Sequence, residues 1–156
     1  MGRAGWMLFA ILCVCVHSKA AATDKLSIID GPVDAYVERV IDSDTFEMRA
    51  FVFPELVIFG QLRVDGVDSP ETYGKCAYET DLAARAKTFV LNLFSANANR
   101  VKLYTVGLKG SDGGGFGRHR ARVKVGGQWL DEALIQNGFA RKYHGGKRMP
   151  WCPGPS

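Results

Sequence analysis

The sequence predicts an α+β fold that is mainly β, a five-stranded Greek-key barrel with two or three helices. Three observations carry the prediction. Five short segments have the apolar and polar mix of half-buried strands, with turn residues between them. One stretch, 77–95, changes to a recurrence of three and four, which is a helical face. The segments follow the order βββ-α-ββ-α. Five strands with one helix between the third and fourth match the OB-fold, whose barrel face commonly binds oligonucleotides or oligosaccharides.

The chain has 156 residues, 47% of them hydrophobic and 23% charged. That is enough apolar material for one domain with its own core, and it excludes disordered, collagenous and coiled-coil classes. Residues 1–20 are set apart as a signal peptide. Arg3 gives the positive start, Trp6 to Val16 is an apolar run, and Ser18 and Ala20 form a small-residue cleavage site. An uncleaved anchor or a buried helix is the alternative. The apolar run is shorter than the ~18 residues that span a bilayer. Export to a secreted or periplasmic location, with no membrane attachment after cleavage, is the expectation.

Cleavage after Ala20 changes the charge. Removing Arg3 and Lys19 leaves 18 basic residues against 16 acidic, a net charge of +2. Bulk charge therefore does not argue for nucleic acid, and the distribution of charge must. Cleavage also removes Cys13 and Cys15. Cys76 and Cys152 remain in an oxidising compartment, where only one pairing is possible.

In chain order, residues 21–32 read as a flexible lead-in ending at Gly31-Pro32. The domain proper is expected over 33–142. Strands are predicted over 34–41, 44–53 and 57–66, with Asp42-Ser43-Asp44 and Pro54-Glu55 as turns. On the helix at 77–95 the inward face is Leu82, Ala86, Phe89 or Val90, Leu93 and Phe94. A fourth strand is predicted over 100–106, a glycine-rich loop over 107–117 and a fifth strand over 118–125. A short helix at 128–137 ends at Gly138, and 143–156 is an irregular tail with three prolines.

The densest chemistry lies in Arg63-Val-Asp-Gly-Val-Asp68-Ser69-Pro70-Glu71, where a strand runs into a proline turn. Asp42 and Asp44 stand at another turn, and Phe116-Gly117-Arg118 opens the last strand. Phosphodiester hydrolysis needs a hard cation on oxygen ligands, a carboxylate to activate water, and guanidinium groups on the phosphate. These residues supply that list. Taken singly, each is equally an ordinary turn aspartate or a solvated arginine.

Taken together, they carry a resemblance. Ile41-Asp42-Ser43-Asp44-Thr45, Arg63-x4-Asp68-Ser69-Pro70-Glu71, Phe116-Gly117-Arg118 and Glu132 to Ala140 resemble the staphylococcal nuclease (thermonuclease-like) family over about Val33 to Arg141. The resemblance implies a calcium site on Asp44, Asp68 and the Ser69 carbonyl, with Asp42 nearby. It implies Glu71 as general base and Arg63 and Arg118 as phosphate-clamping, catalytic arginines. Phe116 stands where a tyrosine is usual and Ser43 where a glycine is usual, so Ser43 requires a negative φ. The family's last helix has no counterpart, and Tyr143 is one position out of register with an aromatic near the substrate. Similar exported members carry the two cysteines in GKC and WC contexts, which implies a Cys76–Cys152 disulfide tying down the tail. Two unpaired thiols are the alternative.

One signal is independent of the resemblance. Arg118, Arg120, Arg122 and Lys124 alternate with His119, Ala121, Val123 and Val125. A strand would put four cations on one face, where Arg120 and its neighbours could follow a phosphate backbone or simply meet solvent. His119 falls on the apolar side and reads as a core histidine.

The whole implies an exported, monomeric, calcium-dependent endonuclease with little sequence preference, acting on DNA, RNA or both. A non-catalytic OB-fold that binds single strands is the first rival. An oligosaccharide-binding barrel is the second, and it would want more tryptophans than Trp129 and Trp151.

Overall fold

The computed structural model describes residues 28–108 and 118–153. The predicted leader at 1–20, the lead-in to residue 27, and residues 109–117 of the glycine-rich loop with Phe116 lie outside the described residues, whereas Gly107 and Leu108, read as loop, are the end of a strand. The elements are β1 (Ile28–Ile29), β2 (Val33–Asp42), β3 (Thr45–Phe53), β4 (Leu56–Val64), β5 (Val67–Asp68), α1 (Ala77–Ala96), β6 (Arg100–Leu108), β7 (Arg118–Val125), β8 (Gln128–Trp129), α2 (Leu130–Gln136) and β9 (Arg141–Lys142).

Five of these strands close a barrel. The chain meanders antiparallel through β2, β3 and β4, and β6 pairs with both β2 and β7. The ring is closed by a parallel pairing of β4 with β7. Period-two alternation explains the core. Phe46, Met48, Leu62, Val64, Leu103, Ala121 and Val123 all point inward and are almost fully buried. Helix α1 covers one end, with Leu82, Ala86, Val90 and Phe94 inward. Phe94 meets the barrel's Phe46 edge to face, with ring centroids 5.2 Å apart.

Both helices stop for a backbone reason. After α2, Phe139 N–H bonds to Leu134 O (2.8 Å) and Gly138 N–H to Ile135 O (3.0 Å), with Gly138 at φ 71°. This is a Schellman end with glycine at the left-handed position. The helix itself is shorter than the sequence suggests, because Gln128 and Trp129 pair with β7 instead. Two helices are present among the described residues, and neither is long and apolar enough to cross a membrane.

A further expectation changes at the start of the domain. Ile28 and Ile29, read as the end of a loose lead-in, are paired with Gly107 and Val106. Several aromatics of the β3–β4 hairpin are not core. Phe53 and Phe59 are 68% and 70% exposed, because the hairpin extends beyond the barrel wall.

The tail is irregular but docked. Residues Arg141–Lys142 pair with Val67–Asp68, and Tyr143 N–H bonds to Gly66 O at 2.9 Å. Arg141 stacks on Trp151 at 3.8 Å and also donates to Pro150 O. Cys76 and Cys152 form a disulfide with Cα atoms 5.9 Å apart.

Candidate active site

Four segments meet at one end of the barrel. The first is the β2–β3 turn. Asp42 and Thr45 pair across a two-residue loop of Ser43 and Asp44. Ser43 does not enter the left-handed region, as a serine in glycine's place requires. The turn folds inward and Asp44 is 1% exposed. Its Oδ1 accepts from the Thr45 hydroxyl at 2.9 Å and from Arg63 Nη1 at 3.0 Å.

The second segment is the end of β4. Arg63 pairs with Thr45 on one side and Arg120 on the other. Gln61, two residues before Arg63, is opposite Arg118. Alternation therefore puts Arg63 and Arg118 on one face of the parallel pair. Arg63 also donates to Val67 O at 3.4 Å, tying the strand to the next turn.

The third segment is Val67–Lys75. Asp68 and Ser69 are buried at 4% and 3%, and Glu71 is exposed. Two contacts shape this loop. The Thr72 hydroxyl donates to Asp42, joining it to the first turn. Glu79, in the first turn of α1, is buried and accepts the Lys75 N–H at 2.8 Å and the Glu71 N–H at 3.5 Å. Gly74 is needed for this wrap, since a Cβ there would come within 2.6 Å of Glu79 Cγ.

The fourth segment is the tail. Arg148 Nη1 donates to Glu71 Oε1 at 2.9 Å, and Arg148 Nε lies 3.2 Å from Asp68 Oδ1. Burial opposes its charge, yet Asp68 and Glu71 hold its pKa above the ordinary arginine value. A cavity of about 200 Å³ is lined by Asp42, Thr45, Arg63, Glu71, Arg118, Arg120 and Arg148.

The structure thus brings together Asp44, Arg63, Asp68, Ser69, Glu71, Arg118 and Arg120. The cationic stripe is less open than its alternation implies. Arg120 pairs with Asp65, and Arg122 is held by Asp131 (2.9 Å) and Glu132 (3.0 Å) over the Trp129 ring. Of the four, only Arg118 and Arg120 line this cavity. His119 is half-buried, and its ring would come within 3.1 Å of a Cβ placed on Gly60. Burial pushes its pKa down.

The donor set suits a hard cation. Asp44 Oδ2 and Asp68 Oδ1 are buried oxygens with no hydrogen-bond donor. Arg148 neighbours the latter as an ion pair without hydrogen-bond alignment. Orphaned buried carboxylate oxygens are costly unless something positive completes them, and calcium takes such oxygens together with backbone carbonyls. Cys76, Glu79 and Cys152 also cluster, with ligand atoms within 4.8 Å. Their sulfurs are spent in the disulfide, and metal ligation requires thiolates.

A closed OB-fold barrel with carboxylates and arginines converging at its rim presents groups chemically suited to a phosphate-bearing ligand. A sequence profile described as staphylococcal nuclease homologue matches residues 61–150, more than half of the chain. The chain belongs to the staphylococcal nuclease homologue family, a nuclease and nucleic-acid-binding family that is generally calcium-dependent. The matched span contains Arg63, Asp68, Ser69, Glu71, Arg118 and Arg148, while Asp44 precedes it. No curated protein matches the sequence.

Proposed function

We propose that this protein is an exported, calcium-dependent nuclease that hydrolyses phosphodiester bonds of DNA, RNA or both. The single observation that carries the reading is the meeting of Glu71, Arg63 and Arg118 around one small cavity. Buried carboxylate oxygens on Asp44 and Asp68 support a cation beside it.

Asp44, Asp68 and the Ser69 carbonyl would hold calcium, which when bound supplies charge neutralisation at the scissile phosphate. Glu71, exposed at the cavity, takes a proton from the attacking water. Arg63 and Arg118 share one face of the β4–β7 pair and offer guanidinium forks to the phosphate oxygens as negative charge grows. Arg63 is pre-oriented by Asp44, so little reorganisation accompanies the reaction. Arg120 extends the basic rim along the substrate. The leader at 1–20 supports export, and the disulfide suits an oxidising compartment.

Plasmid and RNA digestion with calcium, then with chelator, tests the reading, with Glu71→Gln alongside. Cleavage that chelator abolishes and the variant lacks is expected. Full activity in chelator would refute the metal mechanism. Binding of single strands without cleavage would make the protein a non-catalytic member of the fold.

A further inference from the structure

Arg148 lies outside every motif of the site, yet it touches two of the site's carboxylates at once. Its guanidinium spans Asp68, which is almost fully buried, and Glu71, which is half exposed. The separation along the chain from Glu71 is 77 residues. We propose that Arg148 is a tethered counter-ion that competes with the divalent cation for the site, so that cation loading and release of the general base are one event. The proposal rests on the nuclease reading and concerns the regulation of that same site.

The argument is electrostatic. Asp68 Oδ1 has no hydrogen-bond donor, and Arg148 Nε is the positive group beside it at 3.2 Å. A divalent cation on the same oxygen would stand within a few ångströms of the guanidinium, and like charges so close repel. Arg148 must then withdraw from Asp68. Its other hand is on Glu71. While Arg148 Nη1 is bonded to Glu71 Oε1 at 2.9 Å, that oxygen is not open to an attacking water. Withdrawal therefore frees Glu71 when the cation site fills. In the cation-free protein the guanidinium keeps both acids compensated.

The tether makes this competition local. Arg148 sits between two anchors. On one side Tyr143 N–H is fixed to Gly66 O, and on the other Cys152 is bonded to Cys76. The arginine side chain is itself 45% exposed, so it has room to swing away without the tail undocking. A neighbouring cavity of about 350 Å³, lined by Arg120, Tyr143, His144 and Gly145 among others, borders Arg148 and can receive it.

Calcium titration calorimetry on the full exported chain tests the proposal, with Arg148→Gln, Arg148→Lys and Asp68→Asn. Arg148→Gln should bind calcium roughly three- to tenfold more tightly, the scale of two partly exposed ion pairs. Arg148→Lys should stay within about twofold of wild type, because it keeps the charge. The calcium concentration for half-maximal cleavage should fall by the same factor. Unchanged or weaker binding in Arg148→Gln, with wild type binding normally, overturns the competition and leaves the nuclease reading standing. If neither wild type nor Arg148→Gln binds calcium, the cation site itself is refuted and the competition with it. Circular dichroism of each variant confirms that the fold is kept.

Discussion

Asp44 reaches the site from the tight β2–β3 turn and Arg63 from the adjoining strand β4, whereas Arg148 reaches it from a tail without regular structure. The sheet-anchored pair is fixed by the β3–β4 ladder and by Val64 N–H on Asp44 O at 2.8 Å. Its side chains are 15% and 2% exposed for Arg63 and Asp44. The tail-borne arginine is held by a two-residue strand pair, one stacked arginine and a disulfide. The difference teaches how the site divides its labour. Arg63 and Arg118 sit in the sheet and Asp44 at a turn fastened to it, where displacement would break many bonds together, while Glu71 rides on a loop braced by Glu79. A group that must come and go sits on a tethered tail, where displacement costs little.

The largest test of this division compares Arg118→Ala, Glu71→Gln and Arg63→Ala. All three should lower kcat by orders of magnitude, as loss of a transition-state group does. They should separate in stability. Arg118 makes no ion pair among the described residues, and Glu71 is exposed, so those variants should melt close to wild type. Arg63→Ala leaves the buried Asp44 without its counter-charge, which should cost roughly 1–3 kcal/mol in urea titrations of the calcium-free protein. Near-normal turnover in any of the three would undo its assigned role. Equal stability of all three would show that Asp44 does not depend on Arg63.

Much of the strand half is legible in the sequence and little of the tail half is. Alternation marks β2, β3, β6 and β7, and the three-and-four recurrence marks α1. The Arg63-to-Glu71 segment is continuous, so its residues announce one another. Arg148 gives no such signal. It lies in a tail of glycines and prolines without a period, and its partners are brought to it by β5–β9, whose strands of two residues are too short to alternate. Glu79 is hidden differently. On a helix an acid in the first turn reads as a favourable dipole partner, and only the fold shows it holding the Glu71–Lys75 loop. The exposed Phe53 and Phe59 show the converse, since composition cannot tell a strand inside the barrel from a hairpin projecting beyond it.

The disulfide gives the next test, of intermediate size. Cys76 and Cys152 are 76 positions apart, and a loop of that length contributes about 4 kcal/mol in a chain-entropy treatment. Reduction, or Cys76→Ser with Cys152→Ser, should lower the urea midpoint accordingly. Cys76 stands at the start of α1, next to the loop that Glu79 braces, so activity at saturating calcium should fall as well. If stability is unchanged, the tail is held by Arg141–Trp151 stacking and the β5–β9 pair alone. Intact mass with and without reductant before alkylation confirms the bridge in the purified protein, and two free thiols in the unreduced sample would refute it.

The smallest effect belongs to His119, and it sharpens the comparison from inside the sheet. His119 lies between Arg118 and Arg120 in sequence but faces the other side of β7, against Gly60. Burial depresses its pKa below the ordinary imidazole value of about 6.5. The unfolded chain then takes up this proton at a higher pH than the folded one. The stability linked to neutral His119 is therefore complete above about pH 6.5 and declines as the pH falls toward the lower folded value. His119→Gln should remove that component. The drop in Tm between about pH 7.5 and about pH 5.5 should narrow in the variant, while its cleavage at neutral pH stays near wild type. A large loss of activity at neutral pH would place His119 with the arginines of the catalytic face, and the alternation that separates the two sides of β7 would no longer separate their roles.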